Sequence, residues 1–378
     1  MDLRAILDCA ESRNEWIRST LRSLVLQESP SEDRLAVNEA VALVEGHARV
    51  LGGTVRRHGH SHFGDILELR FGAARSSRKP ILLLGHLDTV WPLGTLATMP
   101  WREADARYWG PGVLDMKAGV VMALAAVSIL QELGLDRPVC LLLNSDEEVG
   151  SSASWQITEE LALASSAVFV LEPAQGLAYK TARKGVGQYT VRVTGVAAHS
   201  GVDFERGHSA VLELAKLVQT ISGFTDLSAQ RTVNCGVIAG GTRSNVVAQH
   251  ASAEVDVRIA RASDALRVEK LFRKLKVSDP HCRLEITGGI NRPPMERKAG
   301  TIALFKKARG LAAELGFELD EASTGGGSDG NFTAALGIPT LDGMGAVGEG
   351  AHAAHEHVIV EHLAPRTALL AAMLASAD

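Results

Sequence analysis

Aromatic side chains are scarce in this chain. Phe, Trp and Tyr make up 4% of its 378 residues, which leaves no obvious platform on which a pteridine-like ring would stack. Cysteine is scarcer still. Cys9, Cys140, Cys235 and Cys282 stand far apart with no CxxC pair; this excludes a zinc knuckle or a redox dithiol and makes a reducing cytoplasm the expected setting. No run of about six like charges suggests a disordered tail, and a formal charge of -5 supplies no basic field for nucleic acid. The opening MDLRAILDCAESRNEWIRSTLRSL carries charges every few residues and lacks the apolar core of a signal peptide. A membrane span of about twenty apolar residues is not expected either.

What is present is ample core material. With 46% hydrophobic and 22% charged residues, the length favours two domains. The run Ile81 to Leu84, between Pro80 and Gly85, reads as a buried parallel strand ending at His86 and Asp88. Asp115 is placed to cap a helix from Met116 to Leu133 that stops at Gly134. A second buried strand, Val139 to Leu143, runs into Glu147 and Glu148, and a third, Ala167 to Leu171, runs into Glu172. Strands alternating with helices predict an α/β sandwich of three layers, α/β/α, in which ligands sit beyond the carboxyl ends of the strands.

After about Lys180 the pattern changes. Gln188 to Val193 and Ala253 to Ile259 alternate in a strand period, and Ser209 to Thr220 reads as a helix. This predicts an inserted α+β domain, ferredoxin-like, over residues 185–290, with the main domain made of 1–184 and 291–378. The chain then returns to a long helix from Arg297, a glycine cluster at Gly325 to Gly327, a strand near Ile338 to Leu341 and a last helix from Glu361.

Acids gathered at one sheet edge repel one another unless cations neutralise them. Each has a bland explanation: a loop hydrogen bond for His86 and Asp88, a helix cap for Asp115, a solvated turn for Glu147 and Glu148. Their placement at successive strand ends favours a metal site instead. A late cluster adds His352, His355, Glu356 and His357. Mixed His and carboxylate donors suit zinc, cobalt or manganese better than calcium, and a bridging carboxylate holds two ions about 3.5–4 Å apart.

The segments GHLDTV (85–90), GPGVLDMKAG (110–119), NSDEEVG (144–150), LEP (171–173), VTGVAAHSG (193–201), TGGGSDGNF (324–332) and GAHAAHE (350–356) together resemble the successive signatures of the M20 metallopeptidases, in order and spacing their glutamate carboxypeptidase (carboxypeptidase G-like) branch. The resemblance implies that Asp115 bridges two divalent ions, zinc first with cobalt or manganese as alternatives. Glu148 and His352 complete one site, and His86 and Glu172 the other. His352 is preferred to His355 and His357 because the family ligand precedes a glutamate by about four residues, here Glu356. Glu147 is the implied general base, and Asp88 the residue that orients His86 by accepting its other N–H.

His199 matches a family histidine that stabilises the oxyanion in the partner subunit's active site, which implies a homodimer built on the inserted dimerisation and lid domain. Lys180, Asn245, Arg258 and Arg292 match positions that hold the carboxylates of a C-terminal glutamate, with Arg183 and Lys184 competing with Lys180; Gly327 and its neighbours match a loop lining that pocket. The implied reaction is metal-dependent release of a C-terminal residue, an acidic one, from a small peptide or an N-acyl amino acid. An aminoacylase or dipeptidase of non-acidic specificity is the alternative. A serine hydrolase is a weaker rival: Gly326 to Gly330 fits G-x-S-x-G, with Asp342 and His352 following, but no buried strand precedes it.

Overall fold

The computed structural model describes residues 1–72, 78–135 and 137–376. They form two compact units, one of Met1–Ala182, Arg297–Ser323 and Ser328 to the C-terminus, the other of Arg183–Glu296 and Thr324–Gly327.

The first unit is built on strands β1 (Thr54–His58), β2 (Ile66–Phe71), β3 (Ile81–His86), β4 (Val139–Asn144), β5 (Ala167–Val170) and, late in the chain, β10 (Thr340–Leu341). Their order is β1-β2-β4-β3-β5-β10. From β4 onward the neighbours run parallel, and β1 and β2 are antiparallel additions at one edge. Strand alternation sorts the apolar residues onto two faces. Ile81, Leu83, Leu141 and Phe169 join one core with helices α1 (Leu3–Ser12), α2 (Asn14–Leu26), α3 (Arg34–Val50), α4 (Ala118–Glu132), α8 (Ala299–Glu314) and α10 (Leu363–Ser376). Leu82, Leu84, Leu142 and Val168 face the other way, onto α5 (Trp155–Leu163), which packs beside the short α9 (Gly330–Ala335). These are the three layers the sequence pattern predicts.

Two expectations change. Val113 to Glu132 is 20 residues long with a mean hydropathy of 2.0, long and apolar enough by composition to cross a membrane. Most of it is α4, the central helix of the core, buried against the sheet and against α1, α2 and α10, which is why it is apolar on nearly every side. Asp115 is not a helix cap. Its backbone is non-helical (φ -112°, ψ 93°), α4 begins three residues later, and the Asp115 side chain is turned to other partners.

The second unit holds β6 (Gly185–Thr194), α6 (Ala210–Ser222), β7 (Thr232–Gly240), β8 (His250–Ile259), α7 (Ala262–Arg273) and β9 (Arg283–Arg292). The sheet is antiparallel in the order β7-β8-β6-β9, the ferredoxin-like arrangement of a β-α-β-β-α-β chain. Both helices bury one face against it: Leu214, Leu217 and Ile221 from α6 and Val268 and Phe272 from α7 meet Val191, Val193, Val255 and Val257. Ser209 caps α6 through its side chain.

Candidate metal centre

Three of the predicted ligands stand at or just beyond strand ends of the main sheet, and a fourth precedes the central helix. His86 is the last residue of β3, Glu148 follows β4, Glu172 follows β5, and Asp115 lies in the turn that leads into α4. His352 arrives from the far end of the chain in a left-handed conformation (φ 61°).

Asp115 stands between the two histidines. Its Oδ1 is 3.3 Å from His86 Nε2 and its Oδ2 is 3.3 Å from His352 Nε2. Glu172 Oε1 lies 3.8 Å from the same His86 nitrogen, and Glu148 Oε2 lies 3.2 Å from His352 Nε2. Two groups of three donors result, His86, Asp115 and Glu172 and then Asp115, Glu148 and His352, sharing one carboxylate. Donors bonded to one tetrahedral ion at about 2.0–2.2 Å lie roughly 3.3–3.6 Å apart, so these separations are close to what divalent ions require.

The electrostatics agree. Burial pushes the Glu148 carboxyl up, and its Oε1 is buried without a hydrogen-bond partner, an orphan acceptor that a cation satisfies. Hydrogen bonds to Asp115 and Glu148 push His352 up to about 10. Burial draws His86 down, but Asp115 and Asp88 outweigh it and raise it well above the usual imidazole range. Both shifts have one cause, carboxylates crowded against the imidazoles, and both mark a site that favours positive charge.

Glu147 is buried beside this group, and its main-chain N–H donates to Asp88 Oδ1 at 3.2 Å. Asp88 is fully buried and acts differently from expectation. The nearest acceptor for His86 Nδ1 is the Asp88 main-chain carbonyl at 2.9 Å, with the carboxylate at 3.5 Å. That carboxylate instead accepts from Ser31 Oγ (2.6 Å) and from the N–H groups of Glu147 and Glu148 (3.2 and 3.1 Å), pinning the turn that carries both glutamates.

Of the neighbouring histidines, His355 is exposed and His357 packs against Trp109 with ring centroids 4.5 Å apart. Ser328 is buried and donates to Asp342 at 2.6 Å; among the described residues no histidine bonds to it to activate a nucleophile, and the serine-hydrolase rival ends there. A third group, His208, Asp279 and His281, lies in the second unit. Its rings stack at 4.1 Å and share Asp279, 2.7 Å from His208 Nδ1 and 3.4 Å from His281 Nδ1, so it is satisfied as a hydrogen-bonded set.

The predicted substrate residues are divided between the units. Lys180 is buried in the first, its backbone paired with Asp342. In the second, His199 and Asn245 are exposed on adjoining loops, where the Ser200 N–H donates to the Asn245 carbonyl at 3.0 Å. Arg258 and Arg292 both stand opposite Val186, from the strands on either side of β6. Gly327 lies against Val186 and Arg292 so closely that a Cβ there would meet them at 2.9 and 3.3 Å. Arg258 is already held by Asp256, with nitrogen–oxygen distances of 2.9 to 3.2 Å. Arg183 donates to the carbonyls of Gly326 and Gly327 (3.3 and 3.1 Å) and so supports the glycine loop. Sequence reasoning missed Glu356 as more than a landmark: its carboxylate accepts from four N–H groups around the centre.

Comparison with known proteins identifies the family. Carboxypeptidase G2 of Pseudomonas sp. (strain RS-16) is 29% identical over 380 residues, spanning 98% of this chain and 91% of its own. The aminopeptidase PepT of Bacillus cereus superposes with a TM-score of 0.81 at 20% identity, covering 96% of this chain and 98% of that one. An M20 family metallo-carboxypeptidase of Sulfolobus solfataricus does so at 0.76 and 17% identity, covering 95% and 98%. The model of peptidase family M20/M25/M40 matches residues 82–376, a span that holds all the candidate ligands, and the chain belongs to that family.

Proposed function

We propose that this protein is a metal-dependent exopeptidase that hydrolyses the amide bond before a C-terminal acidic residue of a small peptide or N-acyl amino acid. The observation that carries the reading is the pair of three-donor groups sharing Asp115, with Glu147 buried alongside. Two divalent ions, zinc first and cobalt or manganese as alternatives, would be held by His86, Asp115 and Glu172 and by Asp115, Glu148 and His352. Ions held by these residues would supply Lewis acidity, lowering the pKa of a water and polarising the scissile carbonyl. The Glu147 carboxylate takes the proton of the attacking water and returns it to the leaving nitrogen. Asp88 keeps that glutamate in place through the main chain, and His199 is the oxyanion donor offered to a partner subunit.

Arg292, Arg258, Lys180 and Asn245 are the proposed carboxylate anchors, with Gly327 admitting the substrate backbone. The full-length likeness to carboxypeptidase G2 supports this choice. One observation favours the non-acidic aminoacylase or dipeptidase alternative: Asp256 already neutralises Arg258.

A homodimer through the second unit is part of the proposal. The edge strand β7 exposes Val237 and Ile238, and α6 exposes Val211 and Leu212, an apolar rim that a second copy covers. The deciding experiment is release of free amino acid from a panel of dipeptides and N-acyl amino acids, with chelated enzyme and with enzyme reloaded with each metal. Metal-dependent release that favours glutamate or aspartate supports the reading. Preference for neutral residues selects the alternative, and activity indifferent to chelation overturns both.

A further inference from the structure

Glu356 is fully buried, and both of its carboxylate oxygens are used. Oε1 accepts from the N–H groups of Leu114 (2.8 Å) and Asp115 (3.0 Å), and Oε2 from the Gly112 N–H (2.9 Å) and Trp91 Nε1 (2.8 Å). The donors come from two loops and the acceptor from a third. Trp91 lies on the loop that leaves His86 and Asp88. Gly112 to Asp115 is the turn that presents the shared carboxylate. Glu356 sits on the loop of His352, closed by bonds from Ala353 N–H to the Gly350 carbonyl and from Glu356 N–H to the Ala353 carbonyl. The Glu356 carbonyl also receives the Gly110 N–H. One carboxylate therefore joins the loop that follows His86 to the turn that bears Asp115 and the loop that bears His352.

We propose that Glu356 is a positioning residue for the metal centre: it sets where the Asp115 carboxylate stands relative to His352 by gripping the main chain of residues 112 to 115. Its side-chain hydrogen bonds go to main-chain N–H groups and an indole, not to the side chain of a candidate ligand, so it acts through the turn rather than on the ions. The chemistry of the grip calls for a carboxylate, because four N–H donors need acceptor lone pairs on both oxygens and an amide offers only one acceptor oxygen. In Glu356→Gln the new NH2 faces either the Leu114 and Asp115 pair or the Gly112 and Trp91 pair, donor against donor. Either choice loosens the turn of Asp115.

The inference rests on the metal reading proposed above, and its test separates the two. Zinc affinity is measured by competition with a chromophoric chelator, and ligand-field bands are recorded on the cobalt-loaded protein, for wild type, Glu356→Gln and Trp91→Phe. Urea midpoints of the metal-free proteins are measured alongside. Removing a residue that orients a metal ligand typically weakens affinity about 10–100-fold, which is expected for Glu356→Gln with altered cobalt bands, against less than about threefold for Trp91→Phe, which leaves the three N–H groups of the turn bonded to the carboxylate. A purely structural role lowers the urea midpoint and leaves affinity and bands unchanged, and that result overturns the proposal. Should the glutamine variant fail to fold, Glu356→Asp, which keeps the charge but is too short to reach all four donors, is expected to show the same weakening; wild-type affinity there overturns the proposal equally. If the wild type itself takes up no divalent ion, the metal reading fails and this inference falls with it.

Discussion

The main-chain carbonyl of Leu171, one residue before Glu172, is enclosed by two glycines. A Cβ on Gly119, in the first turn of α4, would lie 2.1 Å from that oxygen, and one on Gly345 would lie 2.2 Å from it. Gly119→Ala therefore forces the helix or the strand end to yield by about 1 Å before ordinary contact is restored. Overpacking of this kind costs about 1–3 kcal/mol, and the better helix propensity of alanine returns about 1 kcal/mol. The net loss of stability is thus about 0–2 kcal/mol. Function is expected to suffer more, since the displaced carbonyl leads directly into a candidate ligand and a shift of about 1 Å in a reacting group costs roughly a hundredfold in rate. Urea midpoints and kcat/KM for amino acid release at saturating metal test this together. A Gly119→Ala protein with wild-type turnover would refute the idea that these glycines fit the helix to the strand end that carries Glu172.

Gly310, inside α8, is the matching control, because a Cβ there would stand in open space with nothing within 4 Å: Gly310→Ala should stabilise by about 0.5–1 kcal/mol in urea without touching turnover. Glu147→Ala should retain its metal content by elemental analysis and lose about 10²–10⁴ in kcat; loss of metal instead would make this residue a ligand. Glu68 is a buried carboxylate bonded to His58 and Arg70 at 2.8 and 2.6 Å. Burial alone would raise its pKa, but His58 and Arg70 outweigh it and hold it below the usual carboxylate range. A depressed folded value means that its stabilisation is present above the unfolded pKa and is lost as pH falls through the folded one. Glu68→Gln should therefore cost about 1–3 kcal/mol at pH 7 and less below about pH 4; an equal loss at both would contradict this.

Legibility of the site followed the range of the interactions involved. Buried runs ending in acids identified β3, β4 and β5 and the ligands beyond them, because strand direction and sheet edge are local properties of the pattern. Asp115 looked like a helix cap for an equally local reason, since an acid before an apolar helix ordinarily is one; its actual partners are His86, one strand back, and His352, late in the chain. The Glu356 grip is non-local too, and no periodicity reports it. Two features were readable and passed over. Asp256 and Arg258 stand two apart on a strand and so share a face, which makes their pairing predictable, and the span from Val113 to Glu132 was apolar enough to identify a core helix buried over most of its length. Which atom of Asp88 meets His86 depends on backbone direction in a turn, and residue types do not encode it.

The order of the candidate ligands along the chain has a consequence for synthesis. His86, Asp115, Glu148 and Glu172 have all been made before the second unit begins, whereas His352 comes only after that unit and α8 are complete. At translation rates of roughly 5–20 residues per second, the interval is on the order of ten to forty seconds. Throughout it the nascent chain carries a half-built centre that lacks both His352 and the glutamate that grips the Asp115 turn. On the proposed metal reading, a nascent chain holds only one of its two three-donor groups until residue 352 has been made, and a product that stops short of that residue is expected to bind a single ion at most.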